Sequence, residues 1–277
     1  MVLSFLHYGL FIALIFYGFR VRFRSADSHI NRQVFYYAIL AAVSALCFGA
    51  GYSSVLGDSL NMARFFFRSA AVCVSGMHLI LFYMVLIFPR EKSISVLRYF
   101  FILLWAVAAY YIMLTDTFLV EVRMQGSVFI HERGPLFLPI SGGGLVLGLL
   151  GGLILMLRRI KLDSEIFRLQ ALLVSLGIFL AYLINIVLVA VLPLITHSNI
   201  PYLLLPVCGA LLVFILAYAA GITRLLDTQA ISMAAAGTLL YSGGLLLVSG
   251  LGYAFVSRYA ASLSNVIVFM LTAAIFI

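Results

Sequence analysis

Charge is scarce in this chain. Only 9% of its 277 residues are Asp, Glu, Lys or Arg, and 65% are apolar, whereas soluble domains carry roughly 25% charged residues. A water-facing surface cannot be covered from that supply, so a soluble globular fold is excluded. Cysteine is scarcer still. Cys47, Cys73 and Cys208 all lie inside apolar runs, and no CxxC or Cys/His spacing suits metal or redox work, so they read as small apolar residues. Carboxylates are missing from the middle of every apolar run. Asp27, Asp58, Glu91, Asp116, Glu121, Glu132, Asp163, Glu165 and Asp227 fall in connections or at run ends, while proton-coupled pumps and transporters place ionisable groups at mid-membrane depth. No HExxH, GxSxG or P-loop spacing occurs, so the chain has no recognisable enzyme motif, and no cofactor or metal is expected.

Apolar runs fill the chain instead, each about the 20 residues that cross a hydrocarbon layer of roughly 30 Å. In lipid the backbone must satisfy its own polar groups, so runs of this length must be helices. Nine are predicted: Val2 to Phe19, Gln33 to Leu56, Phe65 to Phe88, Tyr99 to Leu114, Leu136 to Leu157, Leu169 to Leu192, Tyr202 to Ile222, Ile231 to Val256, and Leu263 onward. The first has no charged segment before it and is followed by Arg20, Arg22 and Arg24, so it reads as a retained helix and not a cleaved signal. The ninth reaches Ile277 with no polar flank, as expected of a segment cut from a longer protein. The predicted fold is an all-α polytopic transmembrane bundle, with a seven-helix core over residues 1–230 and two further helices over 231–277, the last truncated.

The formal charge of +8 does not point to nucleic acid, because the basic residues sit in short connections. Arg20, Arg22, Arg24 and Arg32 follow the first run; Arg90, Lys92 and Arg98 the third; Arg158, Arg159, Lys161 and Arg168 the fifth; and Arg224 the seventh. Together these are 12 of the 17 basic residues. Cytoplasmic connections are enriched in Lys and Arg, so the expected orientation in a bacterial cytoplasmic membrane has the N-terminus outside and the chain end in the cytoplasm.

One outer connection is long. Between Thr115 and Pro135, Phe118, Val120 and Val122 alternate with polar residues, then come Gln125-Gly126 and the short run Val128 to Ile130, a pattern that predicts a small β-hairpin. Loops this long are commonly functional, so a lid over the outer mouth is one reading and a solvated spacer the other. Within the runs, Arg68 lies 20 residues before Phe88, which places it at the outer interface, where its side chain can snorkel to water. His78 lies near mid-depth and must find a partner or a ligand. Asn185, in the outer half of the sixth run, reads by default as interhelical glue. Tyr52, Tyr110, Tyr111, Tyr182 and Tyr202 lie nearer the outer ends, where an interfacial belt explains most of them and a pocket lining some. Gly144, Gly148 and Gly152 form a smooth stripe that permits close helix contact, inside the bundle or across a homodimer seam.

Three short stretches carry a resemblance. His78-Leu79-Ile80-Leu81-Phe82-Tyr83-Met84-Val85-Leu86-Ile87-Phe88-Pro89 closes the third run on an aromatic residue and proline. Phe167-Arg168-Leu169-Gln170 opens the sixth. Ala217-Tyr218-Ala219-Ala220-Gly221-Ile222-Thr223-Arg224-Leu225-Leu226-Asp227 closes the seventh. In this order they resemble the N-terminal seven-helix membrane region of bacterial sensor histidine kinases and related membrane signalling proteins, over about residues 1–230 of this chain. The resemblance implies a sensory input module that binds a small or lipophilic ligand and signals to a cytoplasmic kinase, phosphatase or cyclase domain beyond Ile277. The alternative is a transporter or membrane scaffold subunit without an output domain. Polar groups in so apolar a bundle must face inward, and those in the outer half can meet a ligand from outside. The expected ligand site therefore comprises Arg68, His78 and Asn185, overhung by Glu121, Arg123, His131 and Arg133 of the long connection.

Overall fold

The computed structural model describes residues 2–24, 28–88, 95–125, 128–192, 195 and 199–222. These form the helices α1 (Val2–Arg24), α2 (His29–Leu56), α3 (Leu60–Ile87) and α4 (Ser95–Leu114), the strands β1 (Leu119–Gln125) and β2 (Val128–Arg133), and the helices α5 (Phe137–Arg159), α6 (Glu165–Ile186) and α7 (Leu205–Ile222). Among the described residues seven helices are long and apolar enough to cross a membrane, and they form an all-α polytopic bundle carrying one two-stranded sheet. The eighth and ninth expected spans and the stretch from Thr223 to Asp227 lie outside the described residues.

Several helices overrun the apolar stretches that announced them. α2 begins at His29, capped by the Ser28 hydroxyl, which accepts from the Asn31 amide at 3.3 Å, and α3 begins at Leu60, five residues before Phe65. An apolar run marks only the hydrocarbon part of a helix; the polar first turn continues into the interface. α6 departs in the other direction. Its α-helical part stops at Ile186 and the chain widens into a π-helical segment, Val187–Val191. Such wide turns leave backbone carbonyls available to other donors and cluster at functional sites.

α3 is the central element, packing against α2, α4, α5 and β1. Its interface with α2 is close at two glycines, Gly51 of α2, where a Cβ would meet the Phe67 ring at 3.0 Å, and Gly76 of α3, where one would meet Leu40 Cδ1 at 2.9 Å; small residues let helix backbones approach where lipid supplies no hydrophobic drive. α4 lies at the periphery. Ile112 is its one buried residue, while Val96, Tyr99, Phe100, Leu103 and Leu114 are exposed, as expected of a face turned to lipid. Polar ties join the other helices. His7 Nε2 donates to the Leu203 carbonyl at 2.6 Å. Arg158 Nη1 donates to the carbonyls of Val85 and Leu86 in the last turn of α3, at 3.2 and 3.1 Å. Gln170 Nε2 donates to the Ala219 carbonyl in the last turn of α7, at 2.7 Å. Last-turn carbonyls have no partner within their own helix, so these side chains satisfy groups that would otherwise be orphaned.

Two apolar cores result. One gathers Leu14, Tyr37, Leu81, Leu155, Ile178 and Leu212 through the body of the bundle. The other lies beneath the sheet, where Phe118, Leu119 and Val122 meet Phe48, Phe67, Ile112, Phe137 and Tyr202. β1 and β2 pair antiparallel from Gln125 against Val128 to Leu119 against Arg133, as the hairpin pattern predicts, but the register shifts between Leu119 and Glu121. That bulge turns Leu119 inward and leaves Val120 37% exposed, which breaks the simple alternation of Phe118, Val120 and Val122. At the hairpin's exit Gly134 N donates to the Phe118 carbonyl at 2.9 Å. A Cβ on Gly134 would overlap the Thr117 carbonyl, so only glycine fits.

The glycine stripe of α5 faces inward, within the bundle. A Cβ on Gly144 would collide with the His78 ring, and one on Gly148 with the Tyr182 ring. Gly142, on the same helix, faces open space. Gly148→Ala should therefore cost about 1–3 kcal/mol by overpacking, whereas Gly142→Ala should be neutral or gain about 0.5–1 kcal/mol of helix propensity. Thermal unfolding in detergent micelles measures both, and equal melting temperatures for the two variants would refute the packing assigned to the stripe.

Candidate functional site

At the hairpin end of the bundle, Arg68 ties α3 to α4 and β1. This side chain does not snorkel to water: the residue is 7% exposed. Its Nη1 donates to the Met113 carbonyl at 3.1 Å, and its Nη2 to the Leu119 carbonyl at 2.6 Å and to Asp116 Oδ1 at 2.8 Å. Met113 lies in the last turn of α4 and Leu119 opens β1, so one guanidinium closes a helix end and holds the foot of the hairpin. The same Asp116 oxygen pairs with Arg64. The Asp116 carboxylate is 71% exposed, so the cluster has a buried cationic side and a wet anionic side. A fork-shaped donor can do this because it reaches three acceptors from one fixed plane.

Two small cavities lie below the hairpin. The inner one, about 40 Å³, is bounded by Tyr37, Met77, His78, Tyr182, Asn185 and Cys208. The outer one, about 50 Å³, is bounded by His78, Phe118, Phe137, Ser141, Asn185 and Tyr202. His78 and Asn185 line both. His78 Nδ1 and Tyr182 Oη share a hydrogen bond of 2.5 Å that ties α3 to α6, in the space that Gly144 and Gly148 leave open. Drug-sized ligands occupy roughly 300–1,000 Å³. These cavities hold a water-sized group each, so a larger guest needs the helices to part.

The hairpin's second strand packs on the rings of Phe137 and Tyr202, which bound the outer cavity. His131 is buried and stacks on Tyr202 with ring centroids 4.6 Å apart, while Arg133 lies 4.6 Å over the Phe137 ring. Arg133 Nη2 also donates to the Val189 carbonyl at 3.3 Å, within the π-helical segment of α6, where the usual i to i−4 bonding is interrupted. Thus the hairpin is held on one side by α3 through Arg68 and on the other by α6 through Arg133.

Of the residues expected from sequence, His78 and Asn185 line both cavities, His131 and Arg133 lie on the Tyr202 and Phe137 rings that bound the outer one, and Arg68 lies apart at the foot of the hairpin. Glu121 and Arg123 lie on the outer face of β1, half exposed, and pair with each other at 3.5 Å. Sequence reasoning did not single out Asp116 or Phe137, and it left Tyr182 open between an interfacial belt and a pocket lining; Tyr182 is 4% exposed and lines the inner cavity. Among the described residues no group of three His, Cys, Asp or Glu is placed to hold a metal.

The family model of the N-terminal 7TM region of histidine kinase matches residues 3–229. Comparison with curated proteins finds no match.

Neither ring nitrogen of His131 has a hydrogen-bond partner among the described residues. Burial, aided by the neighbouring Arg133 charge, pushes its pKa down from 6.5 to about 3. The folded state therefore binds fewer protons at this site than the unfolded chain does between those values. This contribution to stability is complete above about pH 6.5 and is lost as pH falls toward 3. His131→Leu should flatten the decline in melting temperature between pH 7 and pH 4; a decline as steep as in the unaltered protein would contradict the buried neutral imidazole.

Proposed function

Because the chain belongs to the family of N-terminal 7TM regions of histidine kinases and so forms a membrane sensory input module, we propose that it senses a small or lipophilic ligand at its hairpin end. In this reading the ligand enters the space around His78, Tyr182 and Asn185, and the response passes along α3 and α6 to a kinase output domain encoded beyond Ile277. The hairpin end faces outward and the basic connections face the cytoplasm, following the Lys and Arg bias.

The observation that carries this reading is the pairing of two helices at two depths by different means. At the surface the hairpin bridges α3 and α6 through Arg68 and Arg133; deeper in, the His78–Tyr182 bond bridges the same two helices directly. A guest that widened the cavities would have to disturb both ties. Interhelical hydrogen bonds in membranes are worth only about 0.6–2 kcal/mol, a scale that modest binding energy can overcome. A ligand shifts an equilibrium only by its differential affinity for the two states, so weak, breakable ties suit a sensor better than a rigid scaffold.

Described residues of the three stretches that carry the family resemblance meet at the other end of the bundle. Phe88 meets Phe167 edge to face at 6.2 Å, and Gln170 holds Ala219. The ends of α3 and α7 are thus attached to the start of α6, on the side from which the chain continues. Displacement of α3 against α6 at the hairpin end has a packed route to that junction.

The test uses the full-length protein in native membranes. Tyr182→Phe keeps the ring and removes the hydroxyl that meets His78, and it should change basal autophosphorylation several-fold at unchanged membrane level. Asn185→Leu should do likewise. If both variants autophosphorylate as the unaltered protein does, or if the reading frame stops shortly after Ile277, the sensory reading fails.

A further inference from the structure

Away from the hairpin, a groove of about 180 Å³ runs between α2, α3 and α4. It is several times larger than either outer cavity. Each helix gives it one residue at the mouth and one seven positions away at the floor: Gln33 and Leu40 from α2, Tyr83 and Gly76 from α3, Arg98 and Trp105 from α4. Two helical turns at 1.5 Å per residue put the floor about 10 Å below the mouth. The mouth residues lie one turn from the helix ends opposite the hairpin, at the depth where headgroups give way to hydrocarbon.

The floor is built with care. Gly76 brings α3 close to the Trp105 ring; a Cβ there would meet Leu40 Cδ1 at 2.9 Å and Trp105 Nε1 at 3.0 Å. The indole is held in place because Nε1 donates to the Val72 carbonyl at 2.8 Å. The groove opens sideways: Tyr36 and Ile102 on its rim are 42% and 48% exposed, and α4, which forms one wall, is the peripheral helix. An apolar slot open to the hydrocarbon and closed below by an indole accepts an extended aliphatic chain.

Arg98 brings a guanidinium charge to the mouth. Ion pairs among the described residues are Arg64 and Arg68 with Asp116, and Arg123 with Glu121. All lie at the hairpin end, and none involves Arg98. Arg98 belongs moreover to the side of the bundle that holds 12 of the 17 basic residues. A guanidinium in this position favours a phosphate, and a headgroup without an ammonium of its own leaves that attraction uncancelled.

We propose that this groove binds an anionic phospholipid, with one acyl chain lying along Gly76 and Trp105 and the phosphate on Arg98, the Gln33 amide serving as a neutral donor beside it. The site is independent of the sensory cavities and stands whether or not they bind a ligand.

Residues 1–277 supply their own probe, since Trp105 is the sole tryptophan among them. Fluorescence of the protein is followed in phosphatidylcholine bilayers containing rising fractions of lipid brominated on the acyl chains, which quenches an indole on contact. Brominated phosphatidylglycerol should reach half-quenching at about fivefold lower mole fraction than brominated phosphatidylcholine, the ratio given by about 1 kcal/mol for one basic residue at the surface. Arg98→Gln should bring the two curves together, and Arg98→Lys should keep part of the difference. Superimposed curves in the unaltered protein, or a difference that survives Arg98→Gln, would overturn the proposal.

Discussion

A guanidinium on a membrane-spanning helix has to be met by acceptors or returned to water, and Arg68 is met. At the centre of a bilayer an arginine costs about 2.5–3.5 kcal/mol on insertion scales, less toward the interface, and the cost is met by partners or by snorkelling. Here three acceptors from three different pieces of chain close around it: the last turn of α4, the turn carrying Asp116 and the first residue of β1. The hairpin could not sit where it does without this anchor. Its strands are short, and an isolated two-stranded hairpin is marginal in water. What stabilises it is the apolar contact of Phe118, Leu119 and Val122 below and the two arginines that grip its start and its end.

From that anchor the remaining geometry of the hairpin end follows. β1 fixed on α3 sets the position of β2, which brings Arg133 to the π-helical segment of α6 and His131 onto Tyr202. Tyr202 helps bound the outer cavity, and the glycine gaps of α5 admit the His78–Tyr182 pair. The polar groups form two layers, each joining α3 to α6, with little empty volume between. Packed interfaces in general rearrange by discrete steps and not by smooth deformation.

Much of this was legible in the sequence, for physical reasons that also mark its limits. The seven helices could be read because lipid forces long apolar runs, and their polar first turns could not, because water-facing residues carry no such signal. The hairpin was legible from alternation, but its bulge at Val120 was not, since an extra residue looks like part of the alternating run. His78 and Asn185 stood out as polar residues among apolar ones. Tyr182 did not, because a tyrosine is ordinary near an interface and only its partner makes it a site residue. Arg68 was placed correctly along α3 and wrongly in its surroundings: spacing gives depth along a helix, not the chain segment that folds over it. Glu121 and Arg123 were grouped with the site by loop membership alone, and strand alternation carries them to the other face.

The central claim is that Arg68 holds the hairpin onto α3 by its forked hydrogen bonds and not merely by its charge. Hydrogen exchange of the peptides covering residues 115–135 tests this in the unaltered protein, in Arg68→Ala and in Arg68→Lys, with the body of α6 as the internal reference. The account predicts that both variants lose protection in β1 while α6 keeps its own, lysine failing because a single ammonium cannot span the carbonyls of Met113 and Leu119 together. Protection of β1 that is unchanged in Arg68→Ala, or fully restored by Arg68→Lys, would contradict it.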